Sequence, residues 1–287
     1  MRGIVAPEAP GVPPLDLTTL RFVTYDPRMS VTRPLLIVAT LALTLGLSQA
    51  TGLRVVSYNI KHGRGNDNVV NLDRTAGVLR TLQPDIVGLQ EVDDLATRSG
   101  GVPQAERLGQ ALGMHHAFGR FMDFQGGAYG MAILSRHPIV RTESVRLPDG
   151  NEPRVALAVE VQLPGDRRLT IVNVHFDWVG DDRFRFAQAT ALTTYLDALK
   201  TPYVLLGDFN DEPASRTLAL FKSRAAEARK PETDHFTFSS TEPTKEIDFI
   251  FTAPAAAWRA REVRVITEPL VSDHRPVLAV LEFAPGR

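Results

Sequence analysis

Short apolar runs recur along this chain, and several stop abruptly on a side chain that can do chemistry. Val55-Val56-Ser57-Tyr58 meets Asn59, Ile86-Val87-Gly88-Leu89-Gln90 meets Glu91, and Tyr203-Val204-Leu205-Leu206-Gly207 meets Asp208. Runs this short and this apolar are buried strands rather than helices. A layered α/β protein gathers its ligand sites where such strands end, because the rigid backbone aims side chains into one cleft. The run Thr170–Asp177 sharpens the constraint. Side chains alternate along a strand, so Val172, Val174 and Phe176 face one way and Asn173, His175 and Asp177 the other. Asp208 and Asn210 are also two apart, which puts both on one side if that segment stays extended.

Between the runs lie helices and hairpins. Leu53–Tyr58 and Ile86–Leu89 flank an amphipathic helix over Leu72–Leu82, with Asn71 as its N-cap and Pro84 beyond its end. Met131–Leu134 follows a glycine-rich stretch. Thr142–Leu147 turns through Pro148-Asp149-Gly150 into Val155–Leu163, and Pro164-Gly165-Asp166 turns into Leu169–Phe176. A second helix is expected over Asp182–Leu199, and Tyr203–Leu206, Ile247–Phe251, Val263–Ile266 and Val277–Phe283 supply the remaining strands. No sequence repeat or low-complexity block interrupts Leu53–Phe283. Hairpins mixed with strand–helix units imply packed sheets flanked by helices, an α/β (α+β) architecture in one domain over 51–287.

The chain has no cysteine, which excludes disulfides and thiolate metal sites, so any metal must be held by carboxylate, amide oxygen or imidazole. From Met29 it reads MSVTRPLLIVATLALTLGLSQA: a basic start at Arg33, an apolar stretch from Leu35 to Leu47, and a small-x-small site at Ser48-Gln49-Ala50. That is the pattern of a signal peptide over 29–50, and the stretch is short of the ~20 residues a spanning helix needs. Export to the periplasm or the outside is therefore expected. Residues 1–28, proline-rich and without periodicity, are expected to be a non-native upstream extension, with translation starting at Met29. Beyond residue 50 the chain carries 28 basic and 30 acidic residues, without the basic surplus of a protein that grips long nucleic acid.

Each polar strand end also has an ordinary reading. Asn59 could form a turn, Asp208 and Asp211 could cap a helix opened by Pro213, and His175 could be a hydrogen-bonded core histidine. Asp273-His274-Arg275-Pro276 could be a loop before the last strand. Singly, the ordinary readings have the better odds, since short motifs match by chance. Their joint occurrence is harder to explain that way.

The motifs SYNI (57–60), LQEV (89–92), NVHFD (173–177), GDFND (207–211), EIDFIF (246–251) and SDHRPV (272–277) follow one another in order. Together they resemble the endonuclease/exonuclease/phosphatase superfamily, which includes deoxyribonuclease I-like nucleases, inositol polyphosphate phosphatases and bacterial sphingomyelinases. The resemblance spans Leu53 to Phe283. It implies a four-layer sandwich of two central mixed β-sheets flanked by helices, and a divalent-metal-dependent phosphoester hydrolase. It implies Glu91, Asn59 and Asp273 as ligands of Mg²⁺ or Mn²⁺, cations that prefer oxygen donors. It further implies Asp208 as the residue that deprotonates the attacking water and Asn210 as a donor to the phosphoryl oxygens. His274, oriented by Asp248, would contact the phosphate. His175 would stabilise the phosphate or protonate the leaving oxygen.

One departure stands out. The deoxyribonuclease-like branch supports its second histidine with a glutamate on a middle strand, and here that region, GGAYGMAILSR (126–136), holds no acid. Asp177 or Tyr129 would have to take that place. Substrate choice falls to loops: the phenylalanines of HHAFGRFMDFQGG (115–127) form either a hydrophobic plug or a lipid-touching lid. Trp178 admits the same two readings, while Lys61, His62, Arg64 and Lys245 meet a substrate phosphate or stay solvated. Nucleic acid, phospholipid and small phosphate esters remain open as substrates. No stable protein partner is implied, transient membrane contact is allowed, and a monomer is expected. The competing reading is a catalytically silent binding module on the same fold.

Overall fold

The computed structural model describes residues 52–283. The expected signal peptide and upstream extension lie outside the described residues. Two six-stranded mixed sheets pack face to face. The first has the order β11-β12-β1-β2-β4-β3, from strands β1 (Leu53–Asn59), β2 (Ile86–Asp94), β3 (His115–Phe124), β4 (Gly127–Ser135), β11 (Trp258–Val265) and β12 (Val277–Phe283). The second has the order β5-β6-β7-β8-β10-β9, from β5 (Ile139–Arg146), β6 (Val155–Leu163), β7 (Arg167–His175), β8 (Tyr203–Asp208), β9 (Ala226–Glu227) and β10 (Asp248–Ala253). Helices α1 (Leu72–Leu82) and α2 (Gln104–Leu112) cover one outer face, and α3 (Arg183–Ala198) and α4 (Arg216–Lys222) the other.

The alternation along each strand produces the layers. Val55, Ile171, Val204 and Ile250 point into the core between the sheets. Their neighbours turn outward: Val56 packs toward α1 and α2, and Val172, Leu205 and Phe251 toward α3 and α4. Strands apolar on both faces are what a four-layer sandwich requires. Helix α1 spans the expected residues, and the Asn71 side chain caps it by accepting the Arg74 amide at 3.1 Å.

Each sheet has one parallel pair, and both are built alike. β1–α1–β2 places Asn59 opposite Gln90, beside Glu91, and β7–α3–β8 places His175 opposite Asp208. A repeat invisible in the sequence is thus present in the topology. The halves meet closely beneath the site. Gly88 leaves room for Leu206, whose Cδ1 would lie 1.9 Å from an added Cβ. Beside it Gln90 Nε2 donates to Asn173 Oδ1 at 2.7 Å, while Asn173 Nδ2 donates to the Leu89 and Ala132 carbonyls. Asn173 therefore pins the sheets together.

Three elements differ from expectation. Residues 115–124 form strand β3 rather than a loop, and its phenylalanines plug the core instead of forming a lid: Phe121 is buried, and Phe118 and Phe124 pack half-buried against the apolar clusters. Helix α2 is not among the expected elements, although Ala105, Leu108 and Leu112 recur at helical spacing; it is short and closes on Gly113. Helix α4 starts after Ser215, whose hydroxyl accepts the Leu218 amide, so neither Asp208 nor Asp211 is its cap.

Candidate active site

All eight expected residues converge on one cleft region at the strand ends, which opens into a cavity of about 710 Å³ lined by Glu91, Arg154, His175, Asp208, Asp273 and His274, among others. Asn59 lies at its base, with Nδ2 3.0 Å from Glu91 Oε1 and 3.1 Å from Asp208 Oδ2. Asp248 enters from β10, where it pairs directly across from Asp208.

Local backbone irregularity aims these groups. Glu91 has φ 56° and sits in a bulge, because the β2–β4 register slips between Gln90 and Val92. A bulge re-aims a side chain that regular alternation would send elsewhere. Phe121 occupies the matching slip on β3, between Arg120 and Met122, and both bulges lie across from Gly130. Asn210, at φ 51°, turns back so that its amide N donates to Asp208 Oδ1 at 2.9 Å and its Nδ2 to the Phe176 carbonyl. The segment after Asp208 is thus a turn, not the extended run the spacing suggested.

Charge is concentrated where water is scarce. Asp208 is 1% exposed, and burial lifts its pKa to about 7 despite the His274 charge nearby. His274 Nδ1 lies 3.0 Å from Asp248 Oδ2 and its Nε2 3.6 Å from Asp208 Oδ2. Burial alone would lower its pKa, but Asp248 and then Asp208 outweigh it and raise the value to about 10. At neutral pH His274 is an imidazolium. Burial raises the Glu91 carboxyl as well, with Asp273 adding to the effect. His175 shifts the other way, driven down by burial and by the Arg154 cation. Its Nε2 is 3.6 Å from Asp208 Oδ2, so two imidazoles flank one carboxylate oxygen.

The donor set suits a hard divalent cation. Glu91 and Asp273 are carboxylates on the cleft wall, and the cation facing Asp273 is Lys61, with Nζ 2.8 Å from Oδ2. Asn59 stands beside them, its Oδ1 accepting the Lys61 amide and its Nδ2 facing Glu91 and Asp208. Asp208, Asp248 and His274 also bring ligand-type atoms within 4.8 Å of one another, but His274 Nδ1 is already engaged by Asp248.

The peripheral residues separate. Lys61 pairs with Asp273, His62 is buried, and Arg64 donates to Asn68. Lys245 and Trp178 line the cleft, and Trp178 is 59% exposed. Neither candidate support for His175 holds: the Asp177 oxygens accept the Asn151 and Val179 amides, and Tyr129 packs edge-on against Phe121. The neighbour of His175 Nδ1 is Arg154 Nη1, at 3.4 Å. Sequence reasoning missed Arg154, although its position held a signal. β6 runs antiparallel to β7 with Leu157 opposite Asn173, which carries the start of β6 to the level of His175. A charge abutting the start of an apolar strand can reach the same cleft as one abutting an end.

Comparison with known proteins agrees with this architecture. YbhP of Escherichia coli, described as uncharacterized, is 26% identical over 254 residues, covering 82% of this chain and 98% of its own. An endonuclease/exonuclease/phosphatase structure from Beutenbergia cavernae superposes with a TM-score of 0.69 at 23% identity, covering 82% of this chain and 72% of that one. A mannosyl-6-phosphatase of Bacteroides thetaiotaomicron gives 0.67 at 20% identity, over 81% of this chain and 100% of that one. The family model for the endonuclease/exonuclease/phosphatase family matches residues 56–274, from the first strand to the histidine of the last motif. With the fold, the strand-end residues and this match in agreement, the chain belongs to the endonuclease/exonuclease/phosphatase family.

Proposed function

We propose that this chain is an exported, Mg²⁺- or Mn²⁺-dependent phosphoesterase that hydrolyses a phosphodiester or phosphomonoester by direct attack of water. The family's members hydrolyse phosphoesters and generally depend on divalent metals. The observation that carries the reading is Asp208: a buried carboxyl, with a pKa of about 7, fixed by Asn59 and the Asn210 amide and flanked by two imidazoles. A general base is most effective when its pKa lies near the working pH.

In this reading Asp208 orients the water and takes its proton as the water oxygen bonds to phosphorus and the bond to the leaving oxygen breaks; the electron pair departs with that oxygen, which takes its proton from solvent. The His274 imidazolium, held through Nδ1 by Asp248, faces a phosphoryl oxygen with its Nε2–H, and Asn210 lies alongside. Donors preorganised for developing negative charge in a site poor in water provide the largest share of such catalysis. Glu91, Asp273 and Asn59 would hold the cation, which when bound supplies further neutralisation of phosphoryl charge.

The test is hydrolysis by the purified protein with Mg²⁺, Mn²⁺ or EDTA. The panel is bis-p-nitrophenyl phosphate, p-nitrophenyl phosphate, plasmid DNA, RNA and a choline phospholipid. Metal-dependent turnover that disappears in Asp208→Ala is expected. Silence across the panel from folded, metal-loaded protein would shift the reading to a binding module.

A further inference from the structure

His175 is backed by a cation. An imidazole whose far nitrogen donates to a carboxylate becomes more basic, and the partner of one ring nitrogen decides what the other carries. Arg154 is 1% exposed and immediately precedes β6. Its Nη1 lies 3.4 Å from His175 Nδ1, its Nη2 donates to Glu152 Oε2 at 3.0 Å, and its Cζ sits 5.0 Å from the centre of the Phe121 ring. The β3 bulge turns Phe121 toward this pair, 6.3 Å from the His175 ring. A guanidinium has donors, no acceptor and a permanent charge. The nitrogen facing it must therefore present a lone pair, so the proton of a neutral His175 is on Nε2, the side facing Asp208 Oδ2 at 3.6 Å.

The remaining surroundings allow no other assignment. Glu152 is turned to Arg154, and both Asp177 oxygens are taken by backbone amides. The charged groups facing His175 are Arg154 from the loop before β6, Asp208 at the end of β8 and His274 from the loop before β12. Phe121, on β3, brings no charge.

We infer that Arg154 is a positioning residue that holds His175 as a neutral Nε2–H donor throughout the reaction, so that His175 binds a phosphoryl oxygen and does not deliver a proton to the leaving group. Of the two roles implied for His175, this selects the first. The kinetic half of the inference rests on the phosphoesterase reading; the tautomer does not.

The experiment is a long-range ¹H–¹⁵N correlation spectrum of the ¹⁵N-labelled full chain at pH 7, with Arg154→Met and Arg154→Lys alongside. In the wild type, His175 should show a pyridine-like Nδ1 and a protonated Nε2; a protonated Nδ1 overturns the inference. Arg154→Met should lose that preference and lower kcat by about 10–100-fold, the range for losing an outer-shell partner of a metal-bound histidine, applied here to a phosphate-binding one. KM should stay within about threefold, because the interaction lost acts in the transition state. Arg154→Lys, which keeps a cationic donor, should restore the tautomer and most of kcat. An Arg154→Met protein with the wild-type tautomer and rate overturns the positioning role. If Arg154→Met does not fold, the wild-type and Arg154→Lys spectra decide: loss of the Nε2–H tautomer in folded, active Arg154→Lys also overturns it. If the wild type shows the expected tautomer but hydrolyses no phosphoester, the activity reading fails and the tautomer assignment stands.

Discussion

Without a divalent cation, the Asp208 carboxylate is a buried charge held against its preference, and this has a measurable sign. Its folded pKa of about 7 exceeds an unfolded value of about 3.9, so the folded state binds the proton more tightly. That stabilisation is complete below the unfolded value and is lost as pH rises through about 7. In EDTA, the melting temperature of the wild type should therefore fall between pH 5 and pH 8 relative to Asp208→Asn, which has no carboxyl to ionise. Calorimetry on both proteins checks this, and parallel curves would contradict the assignment. The same variant should lose about 10²–10⁴-fold in kcat, the range for removing a general base. His274 gives a second test. Asp248 and Asp208 hold it protonated up to about pH 10. In Asp248→Asn its pKa should fall, and the rate should then decline with rising pH at a lower pH than in the wild type. A pH–rate profile for each protein measures that displacement.

The strands do more than carry these residues, because their close approach fixes the registers that align them. Gly207 has φ 146°, and a Cβ there would lie 2.0 Å from the Val174 carbonyl oxygen on the paired strand. That oxygen is backbone and cannot swing aside. Gly207→Ala should destabilise by about 3 kcal/mol, at the upper end for overpacking, and should depress activity by disturbing the His175–Asp208 pairing. A urea midpoint equal to that of the wild type would show that the strands are not held so tightly. The bulges act in the opposite sense: at Glu91 and Phe121 the ladder gives up regularity to aim a side chain. Such departures are common beside active sites.

At the scale of the molecule, a cation bound to the native site alone should stabilise the fold. Saturation at 100 times Kd contributes about 2.7 kcal/mol, or about 5–10 °C for a domain of this size. Melting with Mg²⁺ against EDTA should show that shift in the wild type and lose most of it in Glu91→Gln. No shift in the wild type would count against metal dependence. Export has its own test, in which N-terminal sequencing of secreted material should give a mature start near Thr51. By itself, the amino-acid sequence determined most of the strands, helices α1 and α3 and the layered fold class, and it marked Asn59, Glu91, His175 and Asp208, because period-two burial and abrupt strand ends are local properties of the chain; the rest of the eight followed from the family motifs. It missed β3, where Gly119 and half-buried phenylalanines blur the alternation, and the short helix α2, although Ala105, Leu108 and Leu112 keep helical spacing there. The tertiary structure decided the environment of each group: the pKa of Asp208, the charge of His274, the return of Asn210 into a turn, and the use of Asp177 as a loop anchor. It also brought Arg154 to His175 from another strand. Burial and long-range pairing set those properties, and neither is encoded in spacing along the chain.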